Sequence, residues 1–251
     1  MWNITSGSLI RNITGNSNWV LSLATLENGY LASGTYSEIK IWNPNNGSLI
    51  KTLTGHSNWV SSLAALPNGN LASGSHDTTI KIWNTNNGSL LRTLTGHTSY
   101  VYSLALLLNG YLASGSYDNT IKIWNTNNGS LIRTLTGHSA SVMSVAVLRN
   151  GYLASASYDK TIKIWNANDG SLIRTLTGHA SPVYSLVVLP NGYLGSASED
   201  NTIKIWNTDN GSLNKTLTGH SGYYYMLSTL VLLKNGYFAS AAADFSIKIW
   251  N

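Results

Sequence analysis

The sequence predicts an all-β chain built from six copies of one four-stranded antiparallel unit. Three observations lead there. Trp42, Trp83, Trp124, Trp165, Trp206 and Trp250 recur at intervals of 41, 41, 41, 41 and 44 residues. Gly-His recurs at Gly55-His56, Gly96-His97, Gly137-His138, Gly178-His179 and Gly219-His220, with Gly15-Asn16 holding that place in the first copy. Between these marks lie short β-branched and aromatic runs punctuated by Asn-Gly, and no window carries a helical period. Self-similarity at this period is the mark of an array whose units bury their faces against one another.

The third copy justifies each element in turn. Val101-Tyr102-Ser103-Leu104-Ala105-Leu106 alternates as a first strand and meets Asn109-Gly110, which suits a tight turn. Tyr111-Leu112-Ala113-Ser114 is the second strand and runs on to Tyr117-Asp118-Asn119. Thr120-Ile121-Lys122-Ile123-Trp124 has the β-branched and aromatic content that strands favour. Asn127-Asn128-Gly129 follows, with the Asn-Gly pair of a type I′ turn. Ser130-Leu131-Ile132-Arg133-Thr134-Leu135 is then the fourth strand.

Composition narrows the function classes. The 251 residues hold no cysteine, so disulfides, thiolate metal sites and cysteine nucleophiles are excluded. The longest apolar runs are a handful of residues, too short for a membrane helix, and Met1-Trp2-Asn3-Ile4-Thr5 has no signal-peptide character. An intracellular chain, cytoplasmic or nuclear, is expected. The net charge of +5 is distributed by the repeat: Lys40, Lys81, Lys122, Lys163, Lys204 and Lys248 in one context, Arg11, Lys51, Arg92, Arg133, Arg174 and Lys215 in another. Isolated cations on a ring argue against a nucleic-acid stripe.

Units of four strands at a period near 41, with Gly-His and a terminal Trp, resemble the WD-repeat family of β-propellers. The resemblance covers essentially the whole chain, with Trp-Asn in place of the family's Trp-Asp, as in Trp83-Asn84; Asn can cap the following turn as Asp does. It implies a single domain over 1–251, a six-bladed β-propeller with repeats at about 13–53, 54–94, 95–135, 136–176, 177–217 and 218–251. Residues 7–13, which read as a fourth strand, are expected to pair with the last three strands and close the ring. A monomer is then expected. Met1-Trp2-Asn3 duplicates the end of a third strand, so a window cut from a longer array, or a sensor or regulatory module of a larger protein, is the alternative.

Each intact copy carries His, Ser, Asp and Trp at fixed offsets. The sets are His56, Ser73, Asp77 and Trp83; His97, Ser114, Asp118 and Trp124; His138, Ser155, Asp159 and Trp165; His179, Ser196, Asp200 and Trp206; and His220, Ser240, Asp244 and Trp250. Ser, His and Asp together suggest hydrolysis. Yet a catalytic site is needed once, and no Gly-x-Ser-x-Gly elbow is present. The family resemblance implies a structural hydrogen-bond network inside each blade, and buried indole and carboxylate groups need such partners in any case. No catalytic residue, metal site or cofactor is expected. The first copy has Asn16 and Ser37 at the His and Asp places and is one residue short in 36–39; the sixth has three extra residues around Tyr223-Tyr224-Tyr225. These two copies are expected to open first.

Binding must use positions the scaffold leaves free. Trp19, Tyr36, Trp59, Tyr100, Tyr102, Tyr117, Tyr158, Tyr184 and Tyr224 fall at entries to first strands or in links between second and third strands. In the family these loops share one end of the ring. A non-enzymatic protein-interaction scaffold follows, taking a protein segment or short peptide on this face. A segment carrying Lys or Arg is favoured, because a cation over an aromatic face gains about 0.5–2 kcal/mol. A nucleic-acid-binding propeller using Arg11, Arg92, Arg133 and Arg174 is the rival reading.

Overall fold

The computed structural model describes residues 8–221 and 227–251, side chains at 227 and 228 excepted. Among the described residues, all regular structure apart from one short 3-10 turn at Pro67–Gly69 is strand. Repeat one contributes β1 (Ser22–Thr25), β2 (Leu31–Gly34), β3 (Tyr36–Trp42) and the first part of β4 (Leu49–Leu66). Repeat two takes the rest of β4 with β5 (Asn70–Ser75), β6 (Ile80–Asn84) and β7 (Leu90–Leu94). Repeat three has β8 (Val101–Leu106), β9 (Leu112–Ser116), β10 (Ile121–Trp124) and β11 (Leu131–Leu135). Repeat four has β12 (Val142–Val147), β13 (Leu153–Ser157), β14 (Ile162–Trp165) and β15 (Leu172–Leu176). Repeat five has β16 (Val183–Val188), β17 (Leu194–Ser198), β18 (Ile203–Trp206) and β19 (Leu213–Leu217), and repeat six β20 (Leu227–Leu232), β21 (Phe238–Ala242) and β22 (Ile247–Trp250).

Every described pairing is antiparallel between consecutive strands, and the register repeats with the sequence. Ile121 faces Gly115 as Ile162 faces Ala156 and Ile203 faces Ala197. The apolar positions of the strands then pack sheet against sheet. Leu107, Ala113, Ile121 and Ile123 of repeat three share a buried cluster with Val142, Val145, Leu153 and Trp165 of repeat four. Each such junction removes several large side chains from water, at about 25 cal/mol per Å² of apolar surface.

The turn after each Trp differs from the type I′ expectation. Gly129 has φ of 82°, but Asn128 is not among the positive-φ residues, so only one central residue is left-handed. Gly129 N–H donates to Asn125 O at 2.8 Å, closing a longer loop. Inside it Asn125 Oδ1 accepts from Asn127 N–H at 2.9 Å, so the Asn of Trp-Asn caps this loop. The equivalent Gly170 has a second reason to be glycine: a Cβ there would stand 2.7 Å from Arg133 Cδ.

Two features depart from six equal sheets. The missing residue and the absent Asp in repeat one let β3 start at Tyr36, where Tyr36 pairs with Trp59, and β4 runs unbroken for 18 residues into repeat two. Repeats one and two therefore form one seven-stranded sheet. At the other end, repeat six is a three-stranded sheet, and among the described residues 8–13 form no strand on β22. The expected ring closure is not seen. Arg11 joins this segment to repeat one, donating from Nη1 to Asn46 O at 3.0 Å and from Nη2 to Asn45 O at 2.8 Å. Packing runs from β1 through β4, β8, β12 and β16 to β20, and among the described residues nothing of comparable extent joins β20 to β1.

Candidate functional site

The five His-Ser-Asp-Trp sets are brought together inside their own sheets with nearly identical geometry. His97 Nδ1 lies 2.7 Å from Asp118 Oδ2 and its Nε2 lies 2.7 Å from Ser114 Oγ, while Trp124 Nε1–H donates to Ser114 Oγ at 2.8 Å. His56, His138, His179 and His220 repeat this with Asp77 and Ser73, Asp159 and Ser155, Asp200 and Ser196, and Asp244 and Ser240. Trp83, Trp165, Trp206 and Trp250 donate to the matching serines. A carboxylate only accepts, so Nδ1 carries the proton; Nε2 accepts the serine O–H, and the serine oxygen accepts the indole.

Burial raises the Asp118 carboxyl, but hydrogen bonds from His97, Thr120 and the Thr98 backbone outweigh it and hold the group well below the usual carboxylate range. Asp77, Asp159 and Asp200 are lowered in the same way, and Asp244 is lowered first by the Ser246 hydroxyl. The serine side of the set is sealed: Ser73, Ser114, Ser155, Ser196 and Ser240 are buried under the tryptophans. A nucleophile there has no route to a substrate. Repeat one keeps a reduced version, with Trp42 donating to Ser33 at 2.8 Å and Ser33 donating to Asn16 Oδ1 at 3.2 Å, so Asn16 takes over part of the missing histidine's bonding.

The aromatic residues collect at the same end of each unit as the His-Asp pair, in the loops that carry His97 and Asp118. The start of a first strand and the end of a second strand lie at one end of a sheet, as Val101 opposite Ser116 shows. Backbone bonds lock the two loops together: Tyr117 N–H donates to Tyr100 O at 2.8 Å, His76 to Trp59 O at 2.9 Å and Tyr158 to Ser141 O at 2.9 Å. Three ring clusters result. Trp59 stacks on Trp19 at 5.8 Å and meets Tyr36 edge-on at 5.2 Å. Tyr100, Tyr102 and Tyr117 lie 5.9 to 6.4 Å from one another. Tyr158 meets Tyr184 at 6.1 Å.

Trp19, Tyr36, Tyr100, Tyr117 and Tyr158 are exposed, whereas Trp59, Tyr102 and Tyr184 are half-buried and support them. Burial, followed by the Tyr117 and Tyr100 rings, raises the Tyr102 hydroxyl. Burial and then the Glu199 charge raise the Tyr184 hydroxyl well above its ordinary range, and that hydroxyl donates to Glu199 Oε2 at 3.1 Å. Glu199 gives the rim a negative charge beside aromatic faces. Tyr224 lies outside the described residues.

Sequence reasoning missed His76. It stacks on Tyr100 at 4.5 Å and meets Tyr102 edge-on at 5.3 Å, so it is the fourth ring of the central cluster. The signal was its register, since it stands where Tyr117 and Tyr158 stand in their repeats. Three of the four arginines of the nucleic-acid reading, Arg11, Arg133 and Arg174, hydrogen-bond to backbone carbonyls of neighbouring turns. Arg133 donates to Asn168 O at 3.0 Å and Arg174 to Asp209 O at 2.9 Å, each reaching the turn of the next repeat as Arg11 does. No group of three metal-ligating side chains occurs among the described residues, and no helix is long and apolar enough to cross a membrane. A cavity of about 370 Å³ opens between repeats five and six among Leu189, Tyr193, Ile205 and Phe238, with Lys215 its one charged side chain.

Comparison with known proteins follows the same lines. Among curated proteins no sequence match was found. The crystal structure of the WD40 beta propeller domain of Doa1 is similar to this chain with a TM-score of 0.80 and 31% sequence identity, over 92% of this chain and 77% of that one. The family described as WD domain, G-beta repeat matches residues 47–84, 88–125, 129–166, 170–207 and 211–251. With its recurring Trp, Gly-His and four-stranded sheets, the chain belongs to the WD40 repeat family.

Proposed function

We propose that the chain docks a protein segment or short peptide on the aromatic rim formed by Trp19, Tyr36, Trp59, Tyr100, Tyr102, Tyr117, Tyr158 and Tyr184. WD40 propeller domains generally serve as protein-interaction scaffolds, and the family is generally non-enzymatic. What carries the finer reading is the mix of exposure and support: Tyr100 and Tyr117 are open to solvent, yet both meet the half-buried Tyr102 and Tyr100 also lies on His76. Rigid aromatics of this kind bury large area at small entropic cost and keep a polar tip. The ligand carries Lys or Arg, because the rim presents π faces and the Glu199 carboxylate and has no cation in its three ring clusters at neutral pH.

Alanine at both Tyr100 and Tyr158 tests this. Affinity capture with the intact chain, read by mass spectrometry, should lose its partners in the double variant while the melting temperature changes little. Unchanged capture overturns the assignment, and so does a collapse of stability, which would make the two rings packing residues.

A further inference from the structure

We propose that the seam between repeats four and five, at the end of the sheets away from the aromatic rim, binds a small zwitterion of the α-amino-acid type. The site is separate from the rim and does not depend on what the rim docks. The observation is a double departure from the repeat. Ahead of the Asn-Gly that joins first to second strand, the copies carry Glu27, Pro67, Leu108, Pro190 and Lys234, and only repeat four has arginine there, Arg149. In the turn after the third strand, Asn45, Asn86, Asn127 and Asn168 hold the place that repeat five gives to Asp209. These two changes, of opposite charge, fall in adjacent repeats and line one cleft of about 340 Å³.

The two charges share this space without neutralising each other. Among the described residues, no ion pair or hydrogen bond joins the Arg149 guanidinium to the Asp209 carboxylate or engages either group elsewhere. Their neighbours fix where they stand. The Arg149 stem crosses the seam and lies over the next turn, with Cδ 3.8 Å from where a Cβ at Gly192 would be. Arg174 donates to the Asp209 carbonyl at 2.9 Å and Asp209 N–H donates to Asn207 Oδ1 at 2.9 Å, so the backbone beneath the carboxylate is held. Asn150 and Asn191 also line the cleft. Their Oδ1 atoms accept from Tyr152 and Tyr193 N–H at 3.1 Å, which leaves both NH2 groups as donors. A guanidinium takes a carboxylate through two parallel N–H···O bonds, and a carboxylate takes an ammonium. A ligand with one of each satisfies both groups at once, whereas a simple anion or cation meets one and is repelled by the other. The volume is at the small end of ligand sites and suits a single amino acid. Both charged side chains are exposed, so the affinity is modest, about millimolar.

Saturation-transfer NMR on the intact chain, with each protein-building α-amino acid in turn at about 1–10 mM, tests this. At least one should bind. Its N-acetyl and carboxamide derivatives, which each lack one charge, should bind at least about tenfold more weakly. Arg149→Gln and Asp209→Asn should each lose the signal and keep the wild-type melting temperature. The derivative comparison uses the unaltered chain, so it stands whatever the variants do to folding. The proposal is overturned if no amino acid binds, if a derivative lacking one charge binds as tightly as its parent, or if either variant binds as the wild type does.

Discussion

The imidazole of His76 in repeat two lies on the phenol ring of Tyr100 in repeat three, 4.5 Å between centroids and 15° from parallel. Loops from adjacent sheets thus meet in a ring contact, so the rim is fixed by the same packing that fixes the sheets. Burial lowers the His76 pKa from 6.5. The unfolded chain therefore takes up this proton first as pH falls, and the stability His76 contributes is complete above about pH 6.5 and is lost as pH drops toward the folded value. Melting temperatures at pH 7.5 and 5.5 should show a smaller drop in His76→Gln than in the wild type. An equal drop contradicts this.

Ser114 links two buried groups, accepting from Trp124 and donating to His97. Ser114→Ala leaves both unsatisfied and should lower the unfolding free energy by about 1–3 kcal/mol in urea titrations. Ser33→Ala in repeat one, where Asn16 replaces the histidine, should cost less. Equal losses would mean that the histidine adds nothing to the set.

Acid should weaken the five intact repeats together. Asp77, Asp118, Asp159, Asp200 and Asp244 are all lowered below 3.8 in the folded chain, so the stability they supply is present above that value and fades as pH falls through it toward the folded values. Asp118→Asn should be less stable than wild type at pH 7 and should show a shallower decline between about pH 5 and 2. A parallel decline would place the acid sensitivity elsewhere.

Most of the fold was legible because each repeat states its own strands, and the Trp spacing alone sets the register from Trp124 to Trp206. The polar sets were legible for the same reason: a group that occurs five times reveals itself as part of the scaffold. Three things were not. Ring closure depends on how six sheets add up in space, and Ile247 reads identically in sequence to Ile203 although one is open and the other sealed. The merging of repeats one and two follows from a single missing residue near Ser37, whose effect on β3 and β4 needs the third dimension. His76 escaped because a histidine among tyrosines looks like an outlier until its ring is seen lying on Tyr100.

Amide exchange should be fastest in repeats one and six. Repeat one has only the reduced polar set, and both end sheets have a solvent-open face at Leu23 and Ile249. Local opening draws on regions with few buried contacts. Slowest exchange is expected in repeats three and four, at Ile121–Trp124 and Ile162–Trp165. Fast exchange there, with slow exchange in β1 or β22, contradicts the ranking.

Hydroxyl-radical footprinting of the chain, free and with a captured partner, asks the functional question without altering a residue. Oxidation at Trp19, Tyr36, Tyr100, Tyr117 and Tyr158 should fall together on binding, while Tyr111 and Tyr152, which follow the first hairpin turns away from the rim, keep their free rates. Protection confined to those hairpin turns, with the rim still oxidised at its free rate, would place the partner elsewhere and contradict the account.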